Sequence, residues 1–216
     1  MSFNAYEMGF HPTFDTLMPV DNSLAKMRTL LDGTMSGAYI DTNLTSLRWG
    51  AFACCKNLTK VYLPNCTEIL GRYAFDSCEN VKTLELPNLT RIVDATYTFN
   101  GMSKLESIDL SKLTTVENFA AVFYNCAEIK RIDLRSLGGV SFGSNAFRYC
   151  IKLETLILGG TEINTLANTN VLGAAGQNVP NGLNIYVPDE LVEAYKTATN
   201  WIAFADKIKP MSELEE

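Results

Sequence analysis

Apolar side chains recur along the middle of this chain with a nearly constant period. The most regular are five phenylalanines that lie 23, 24, 24 and 24 residues apart, namely Phe52, Phe75, Phe99, Phe123 and Phe147. Three residues after each comes a second apolar position, occupied by Cys55, Cys78, Met102, Cys126 and Cys150. This register over five units indicates an internal repeat, whose units bury their apolar faces by stacking on one another.

Each unit closes with two apolar residues separated by one position, which is the alternation of a strand. These pairs are Val61 and Leu63, Leu84 and Leu86, Ile108 and Leu110, Ile132 and Leu134, and Leu156 and Leu158. Stacking in register predicts one parallel sheet with one strand per unit. Each unit also opens with an apolar pair three residues apart, from Leu44 and Leu47 to Leu137 and Val140. The Ala-Phe-x-x-Cys segment between the pair and the strand has helical spacing and predicts a short helical turn.

The ends of a stacked array need caps, because they would otherwise expose apolar faces. Residues 22–31 predict an N-terminal helix, and residues 167–182, rich in Asn, Gly and Ala, predict an irregular loop. Ile185-Tyr186-Val187 predicts a sixth strand. A helix over residues 189–198 and a second short helix are expected after it, with Leu191, Val192, Tyr195, Trp201, Phe204 and Ile208 facing inward.

The predicted fold class is therefore an α/β solenoid with one parallel sheet, short helical turns, and helical N- and C-terminal caps. Its expected parts are residues 1–43 as an N-terminal region with a helical cap, residues 44–187 as the repeat solenoid, and residues 188–216 as a C-terminal helical cap.

The repeat L-x-x-I-x-x-x-A-F-x-x-C-x-x-L-x-x-V-x-L resembles the BspA-like leucine-rich repeats over residues 44–160. The third unit departs from the pattern at Thr98 and Met102, and a flexible thioether still fills the apolar position. The segment from Ile185 to Trp201, continuing to Pro210, is similar to the closing cassette of many such proteins from gut bacteria and their phages. The resemblance implies a right-handed leucine-rich-repeat array and a non-enzymatic role in surface attachment, and it assigns no ligand.

The composition of the chain argues against some classes of binding partner. The formal net charge is −6 and the 18 basic residues are scattered, which argues against nucleic acid. No apolar stretch approaches the roughly 20 residues of a membrane span, so membrane insertion is not expected. Residues 1–31 lack the basic and apolar regions of a signal peptide. This favours an extracellular or virion-associated protein without a signal peptide, such as a phage or prophage structural protein; a trimmed bacterial cell-surface protein is the alternative.

Catalytic and metal-binding signatures are missing from the sequence. His11 is the only histidine and lies outside the repeats, and no phosphate-binding or zinc-protease motif occurs. We therefore expect no enzyme activity, no catalytic residue, no metal and no cofactor. Most cysteines fall at repeat spacing, which indicates packing rather than zinc binding or disulfides. They are predicted to be buried free thiols.

The candidate partner-binding residues lie on the outer face of the predicted sheet. The residue between the two inward positions of each strand points outward, and these residues should stack in a column about 4.8 Å apart. They are Tyr62, Glu85, Asp109, Asp133, Ile157 and Tyr186. The three acidic residues would form a ladder that costs stability, because like charges lie opposite one another. Lys60 and Arg131 in a neighbouring column would neutralise it only in part.

A repeat that keeps three carboxylates in a column despite their repulsion predicts a function for them. We expect a site for a cationic or polyhydroxyl ligand, formed by Tyr62, Glu85, Asp109, Asp133 and Tyr186. The alternative is that the carboxylates are solvated and have no role. The expected function is a non-enzymatic binding or attachment module for a protein or a cell-surface glycan. The second hypothesis is a purely structural subunit that packs within a larger assembly, with residues 1–30 as a contact for another copy or a virion partner.

Overall fold

The computed structural model describes residues 36–173, 179–180 and 182–215. Fourteen strands lie within them: β1 (Gly37–Ile40), β2 (Ser46–Leu47), β3 (Leu58–Tyr62), β4 (Glu68–Ile69), β5 (Thr83–Glu85), β6 (Arg91–Ile92), β7 (Ser107–Asp109), β8 (Thr115–Val116), β9 (Arg131–Leu134), β10 (Ser141–Phe142), β11 (Thr155–Leu158), β12 (Thr165–Leu166), β13 (Asn184–Val187) and β14 (Ile208–Pro210). The predicted N-terminal helix and the partner contact assigned to residues 1–30 lie outside the described residues.

The predicted parallel sheet is present and is longer than expected. Eight strands follow one another in the order β1-β3-β5-β7-β9-β11-β13-β14, and every pair is parallel. We call it the main sheet. The predicted sixth strand is β13, and two strands were not anticipated: β1 lies before residue 44, and β14 lies within the predicted C-terminal cap. The array therefore extends one strand beyond the predicted solenoid at each end.

The core is a continuous column between the main sheet and the Ala-Phe-x-x-Cys segments. Its centre is a stack of phenylalanine rings with centroid separations of 5.1, 5.9, 5.1 and 5.8 Å, formed by Phe52, Phe75, Phe99, Phe123 and Phe147. Neighbouring rings lie within 17° of parallel. The predicted inward residues of the strands are buried around this stack. The repeat pattern thus predicted correctly which of these residues lie in the interior.

The Ala-Phe-x-x-Cys segments are hydrogen-bonded turns, so the prediction of short helical turns is wrong in detail. Two positions in every segment have φ between 50° and 68°, far from the helical value near −63°: Gly50 and Cys54, Tyr73 and Ser77, Tyr97 and Gly101, Ala121 and Asn125, and Asn145 and Tyr149. These left-handed residues turn backbone N–H groups toward the next unit. Phe52 N–H, for example, donates to the Ala74 carbonyl at 2.7 Å.

A second parallel sheet, not predicted from the sequence, forms where each unit opens. It contains β2, β4, β6 and β8, and a separate pair, β10 and β12, follows it. The two parts are joined only by a bridge between Phe119 and Phe142 within the described residues. In the fifth unit Phe142, and not the expected Val140, is the fully buried residue. The second sheet is therefore interrupted between the fourth and fifth units.

The C-terminal end combines helical and extended segments. A 3-10 turn (Asp189–Leu191) leads into α1 (Val192–Thr197), and a kinked 3-10 segment (Trp201–Lys207) precedes β14. Ile208 was expected on a helix and instead lies on β14, where it pairs with Ile185 of β13. The 3-10 segment before it is kinked at Phe204, where φ is −122°. Tyr195, Trp201, Phe204 and Ile208 are buried, as predicted.

Asn164 ties these segments to the last repeat. Its backbone N–H and side-chain amide lie 2.9 and 3.0 Å from the Tyr195 hydroxyl oxygen. Its carbonyl accepts the Trp201 indole N–H at 2.6 Å. Because all three residues are fully buried, these bonds are shielded from water and fix the terminal segments on the array.

Candidate partner-binding surface

Strand register places the predicted residues in one column on the outer face of the main sheet. Tyr62 lies opposite Glu85, Asp109 opposite Asp133, and Ile157 opposite both Asp133 and Tyr186. We call Tyr62, Glu85, Asp109, Asp133, Ile157 and Tyr186 the outer column. The geometry of the column agrees with the alternation in the sequence, while the surroundings of its members differ from one strand to the next.

Asp133 is not the solvated carboxylate that an acidic ladder requires. It is 4% exposed and bonded to two arginines: Arg135 Nη2 lies 2.6 Å from Oδ2, and Arg131 Nη2 lies 3.3 Å from it. The backbone N–H of Arg135 also donates to Oδ1 at 3.2 Å. Strand alternation places residues 131, 133 and 135 on one face, so the pattern Arg-x-Asp-x-Arg was readable in the sequence. The cost expected from like charges is therefore offset locally at Asp133.

Ile157 corrects the expectation of an exposed column. It is fully buried, although it lies on the outward side of β11 and outside the main core cluster. Together with Asp133 it makes the centre of the column's second half inaccessible. Tyr186, the next member, is half-buried.

The first half of the outer column is open. Asp109 is exposed, and its Oδ1 accepts the Ser111 backbone N–H at 2.8 Å. Lys60 Nζ lies 2.6 Å from Glu85 Oε1 and 6.0 Å from the centre of the Tyr62 ring. A cation thus already lies over the aromatic ring and beside the carboxylate. Asp109 is exposed and Tyr62, Glu85 and Tyr186 are half-buried, so these four are the members of the outer column that a partner could contact.

Most of the cysteines are buried thiols, and several of them are hydrogen-bonded to the backbone. Cys78, Cys126 and Cys150 each lie within 3.1 Å of a phenylalanine carbonyl in an earlier unit, to which the thiol donates. Burial raises the pKa of Cys126 to about 12. A protonated thiol satisfies the carbonyl without burying a charge. Cys54 departs from the prediction of buried thiols, since it is half-buried.

Metal-binding clusters and membrane-spanning helices were sought among the residues that the structure describes. It contains no group of three or more His, Cys, Asp or Glu residues arranged to hold a metal ion. Among the same residues, no helix has both the length and the apolar character needed to cross a membrane. His11 lies outside the described residues.

Two surface features were missed by the sequence reasoning. Trp49, Tyr73 and Tyr97 form an aromatic row, with ring centroids 5.6 and 5.3 Å apart. Beside this row, the interruption of the second sheet opens a pocket of about 650 Å³. The tyrosines are 24 residues apart, so repeat spacing was a usable signal for the row. The pocket depends on how the interrupted strands pack, which the repeat pattern does not encode.

The stacked parallel sheets and the phenylalanine column define a leucine-rich-repeat solenoid, a class that presents extended binding surfaces. Residues 45–171 match the BspA type leucine rich repeat region in six copies. This match spans more than half of the chain, and the chain belongs to that family. No curated protein sequence matches it.

One solved structure supports the fold, and two others are similar at lower scores. The pneumococcal vaccine antigen PcpA is similar with a TM-score of 0.56 and 16% identity, covering 80% of this chain and 39% of that chain. This chain thus spans about two-fifths of the length of that antigen. The T. pallidum leucine rich repeat protein TpLRR has a TM-score of 0.42 and 18% identity, covering 63% of this chain and 75% of its own. A leucine-rich repeat protein from Bacteroides ovatus has a TM-score of 0.33 and 19% identity, covering 84% and 59% respectively.

Proposed function

We propose that this chain is a non-enzymatic attachment module that binds a partner through the outer face of its main sheet. The observation that carries the proposal is the contrast between the two sides of the strands. The inward positions are apolar and buried in every repeat. The outer column changes chemistry from strand to strand, from Tyr62 through Glu85 to Asp109. Stacking restricts the inward positions to apolar residues. The outward positions are under no such restriction, so their side chains can differ to suit a partner.

Side-chain bonds between units support this role, because they hold the scaffold in place before a partner arrives. Asn65, Asn80 and Asn88 each donate a side-chain N–H to a backbone carbonyl of the preceding unit, at 2.7 to 2.8 Å. A surface that is already ordered loses less conformational entropy on binding. The open half of the outer column is thus presented on a preorganised support.

The proposed partner is a protein or a cell-surface glycan, and the proposed location is a bacterial surface or a phage virion. A solenoid of this kind offers a broad face suited to large partners. The similarity of fold to PcpA, which is described as a vaccine antigen, is consistent with surface exposure.

Binding to isolated bacterial cell-envelope fractions tests the proposal. Purified protein should co-sediment with an envelope fraction, and the double variant Glu85→Gln, Asp109→Asn should bind at least tenfold more weakly. Lys152→Ala is the control, because Lys152 is an exposed charge that pairs with exposed Glu128 at 2.7 Å. The attachment role would be contradicted if the wild-type protein bound to none of the envelope fractions.

The alternative is a structural subunit that packs against copies of itself or other parts of an assembly. Solution light scattering separates the two ideas. A stable monomer at micromolar concentration favours the attachment module. An obligate oligomer whose interface covers the outer column favours the structural subunit.

A further inference from the structure

The pocket beside the aromatic row has the composition of a small-ligand site. Its volume of about 650 Å³ lies within the roughly 300–1,000 Å³ usual for such sites. Half-buried Val116 and Val140 supply apolar lining, and Arg72, Asn118 and Ser141 supply hydrogen-bonding groups. We call it the sheet-break pocket.

The pocket lies at the boundary between the fourth and fifth units, where the pairing of the second sheet is interrupted. At this boundary Phe119 pairs with Phe142 through a single bridge, and Val116 is half-buried.

Small residues line the pocket where the fourth and fifth units meet. Ala120, Gly139 and Gly143 line it, and a Cβ added at Gly143 would lie 3.0 Å from the Ala120 Cβ, so the two units are in close contact there. Ala120 is half-buried, and a larger side chain at this lining position would reduce the volume of the pocket.

A fixed polar network lies behind one wall, where Arg72 and Thr96 line the pocket and Asp94 holds them from outside it. Arg72 donates to Asp94 Oδ2 through Nε at 3.1 Å and Nη2 at 2.6 Å. The Thr96 hydroxyl donates to Asp94 Oδ1 at 2.6 Å. Burial raises the pKa of Asp94, but the bonds from Thr96 and Arg72 outweigh it and the net pKa is lowered. The wall thus holds an ionised pair with no net charge, which favours an uncharged ligand.

The aromatic row next to this wall is not required by the repeat. Tyr73 and Tyr97 have φ of 62° and 57°, at a position where other units carry Gly50, Ala121 and Asn145. Glycine and asparagine tolerate this conformation best, and an aromatic residue there is unusual. The Tyr97 side chain is 36% exposed and so adds little to the core. Its neighbour Thr96 lines the pocket, so the row continues the pocket's rim.

We propose that the sheet-break pocket binds a neutral saccharide, with a pyranose ring against Val116 and Val140 and its hydroxyls on Arg72, Asn118 and Ser141. A pyranose has apolar C–H faces and a periphery of hydroxyl donors and acceptors. The pocket pairs an apolar floor with a neutral wall rich in both kinds of hydrogen-bonding group. The proposal rests on the proposed attachment function and names a glycan partner for it, at a surface separate from the outer column.

The test is binding to an immobilised panel of neutral oligosaccharides, including cellohexaose, maltohexaose and chitohexaose, followed by calorimetry with any that is retained. Wild-type protein should retain at least one of them. Arg72→Ala and Ala120→Leu should each weaken that binding at least tenfold, the first by removing donors and the second by filling the pocket. Arg91→Ala is the matched control, because Arg91 is also 45% exposed and paired with a carboxylate, Glu68, outside the pocket.

Two results would overturn the saccharide site. One is the absence of binding to every oligosaccharide in the panel, and the other is equal binding by wild-type protein, Arg72→Ala and Ala120→Leu. Circular dichroism melts of the variants exclude misfolding as the cause of a loss. If envelope binding persists while the saccharide site fails, the attachment function stands with a protein partner. If envelope binding fails as well, both proposals fail.

Discussion

The two parallel sheets of this solenoid differ in continuity. The main sheet runs through eight strands, whereas the second sheet stops after β8 and resumes as the pair β10 and β12. The spacing from each core phenylalanine to the following strand is the same in the fourth and fifth units, since Phe123 to Ile132 and Phe147 to Leu156 are both nine residues. The spacing on the other side, from the second sheet to the phenylalanine, varies.

This difference teaches where a repeat of this kind can change. The constant spacing on one side accompanies a continuous main sheet, whereas the second sheet tolerates varied spacing from β2 to β8 before it is interrupted. At that interruption the phenylalanine stack continues from Phe123 to Phe147, and a pocket lies at the surface. The continuous side provides stability, and the interrupted side provides a concave surface. Four predictions test this division, from the largest expected effect to the smallest.

Removing residues 189–216 should affect both sheets at once. The deletion strips β14 from the main sheet and takes Tyr195 and Trp201 from Asn164 beside the second sheet. We expect the truncated chain to aggregate, or the whole array to unfold cooperatively. Without the terminal segments, the apolar face of the last unit is exposed to water, and this face is continuous with the core of the array. Circular dichroism melting and size-exclusion chromatography measure this, with removal of residues 214–216 as the control. A soluble truncated chain that melts like the full chain would refute the role of these residues as a cap.

Phe123→Ala should cost about 3–5 kcal/mol in the free energy of unfolding, as for large core truncations. Phe123 is fully buried between Phe99 and Phe147, at 5.1 and 5.8 Å. Phe119→Ala should cost less, because Phe119 lines the open pocket, where water can enter the space that is left. Urea denaturation measures both values. Equal losses would show that the interruption does not soften the structure around it.

Asp133→Asn should destabilise the protein by about 1–2 kcal/mol, because it weakens charged hydrogen bonds to Arg131 and Arg135. Asp109→Asn should change stability by less than about 0.5 kcal/mol, as is usual for exposed positions. Thermal melts of the two single variants, with the double variant to check additivity, measure this. Stabilisation by Asp133→Asn would instead support a repulsive acidic ladder.

Asp76→Asn should stabilise the protein at neutral pH by about 1 kcal/mol, the value of one added hydrogen bond. Burial raises the pKa of Asp76, although Asn100 and Ser77 donate to its carboxylate. The new amide could also donate to Asn100 Oδ1, which is buried and lacks a partner among the described residues.

The pH dependence fixes the sign of this effect. The folded protein holds the Asp76 proton to a higher pH than the unfolded chain does, so stability falls as pH rises above about 4 through the raised value. The gain from Asp76→Asn should therefore grow over that window and then stay constant. Melting temperatures from pH 3 to 8 measure it, with exposed Asp206→Asn as the control. A gain that is the same at pH 3 and pH 7 would exclude carboxylate ionisation as its cause.

Much of the fold follows from the sequence alone. The positions of Phe52 to Phe147, the inward residues of the strands and the outward register of Tyr62, Glu85 and Asp109 are all consequences of period. A repeat of constant length can bury its apolar residues only by stacking, and alternation along each strand then fixes which side chains face out. The pattern also identified Tyr195, Trp201 and Phe204 as buried, because apolar residues after the last unit have no other core to join.

The tertiary structure decided what surrounds those positions. The left-handed residues of the Ala-Phe-x-x-Cys turns escaped the sequence analysis, because the spacing of Phe and Cys is the same in a helix and in these turns. The burial of Asp133 and Ile157 depends on neighbours packed over one part of a sheet whose alternation is uniform. The sheet-break pocket lies at a unit boundary where Phe142 is buried in place of the expected Val140. Period determines which residues face the core, whereas contacts between non-identical units determine where the surface can bind.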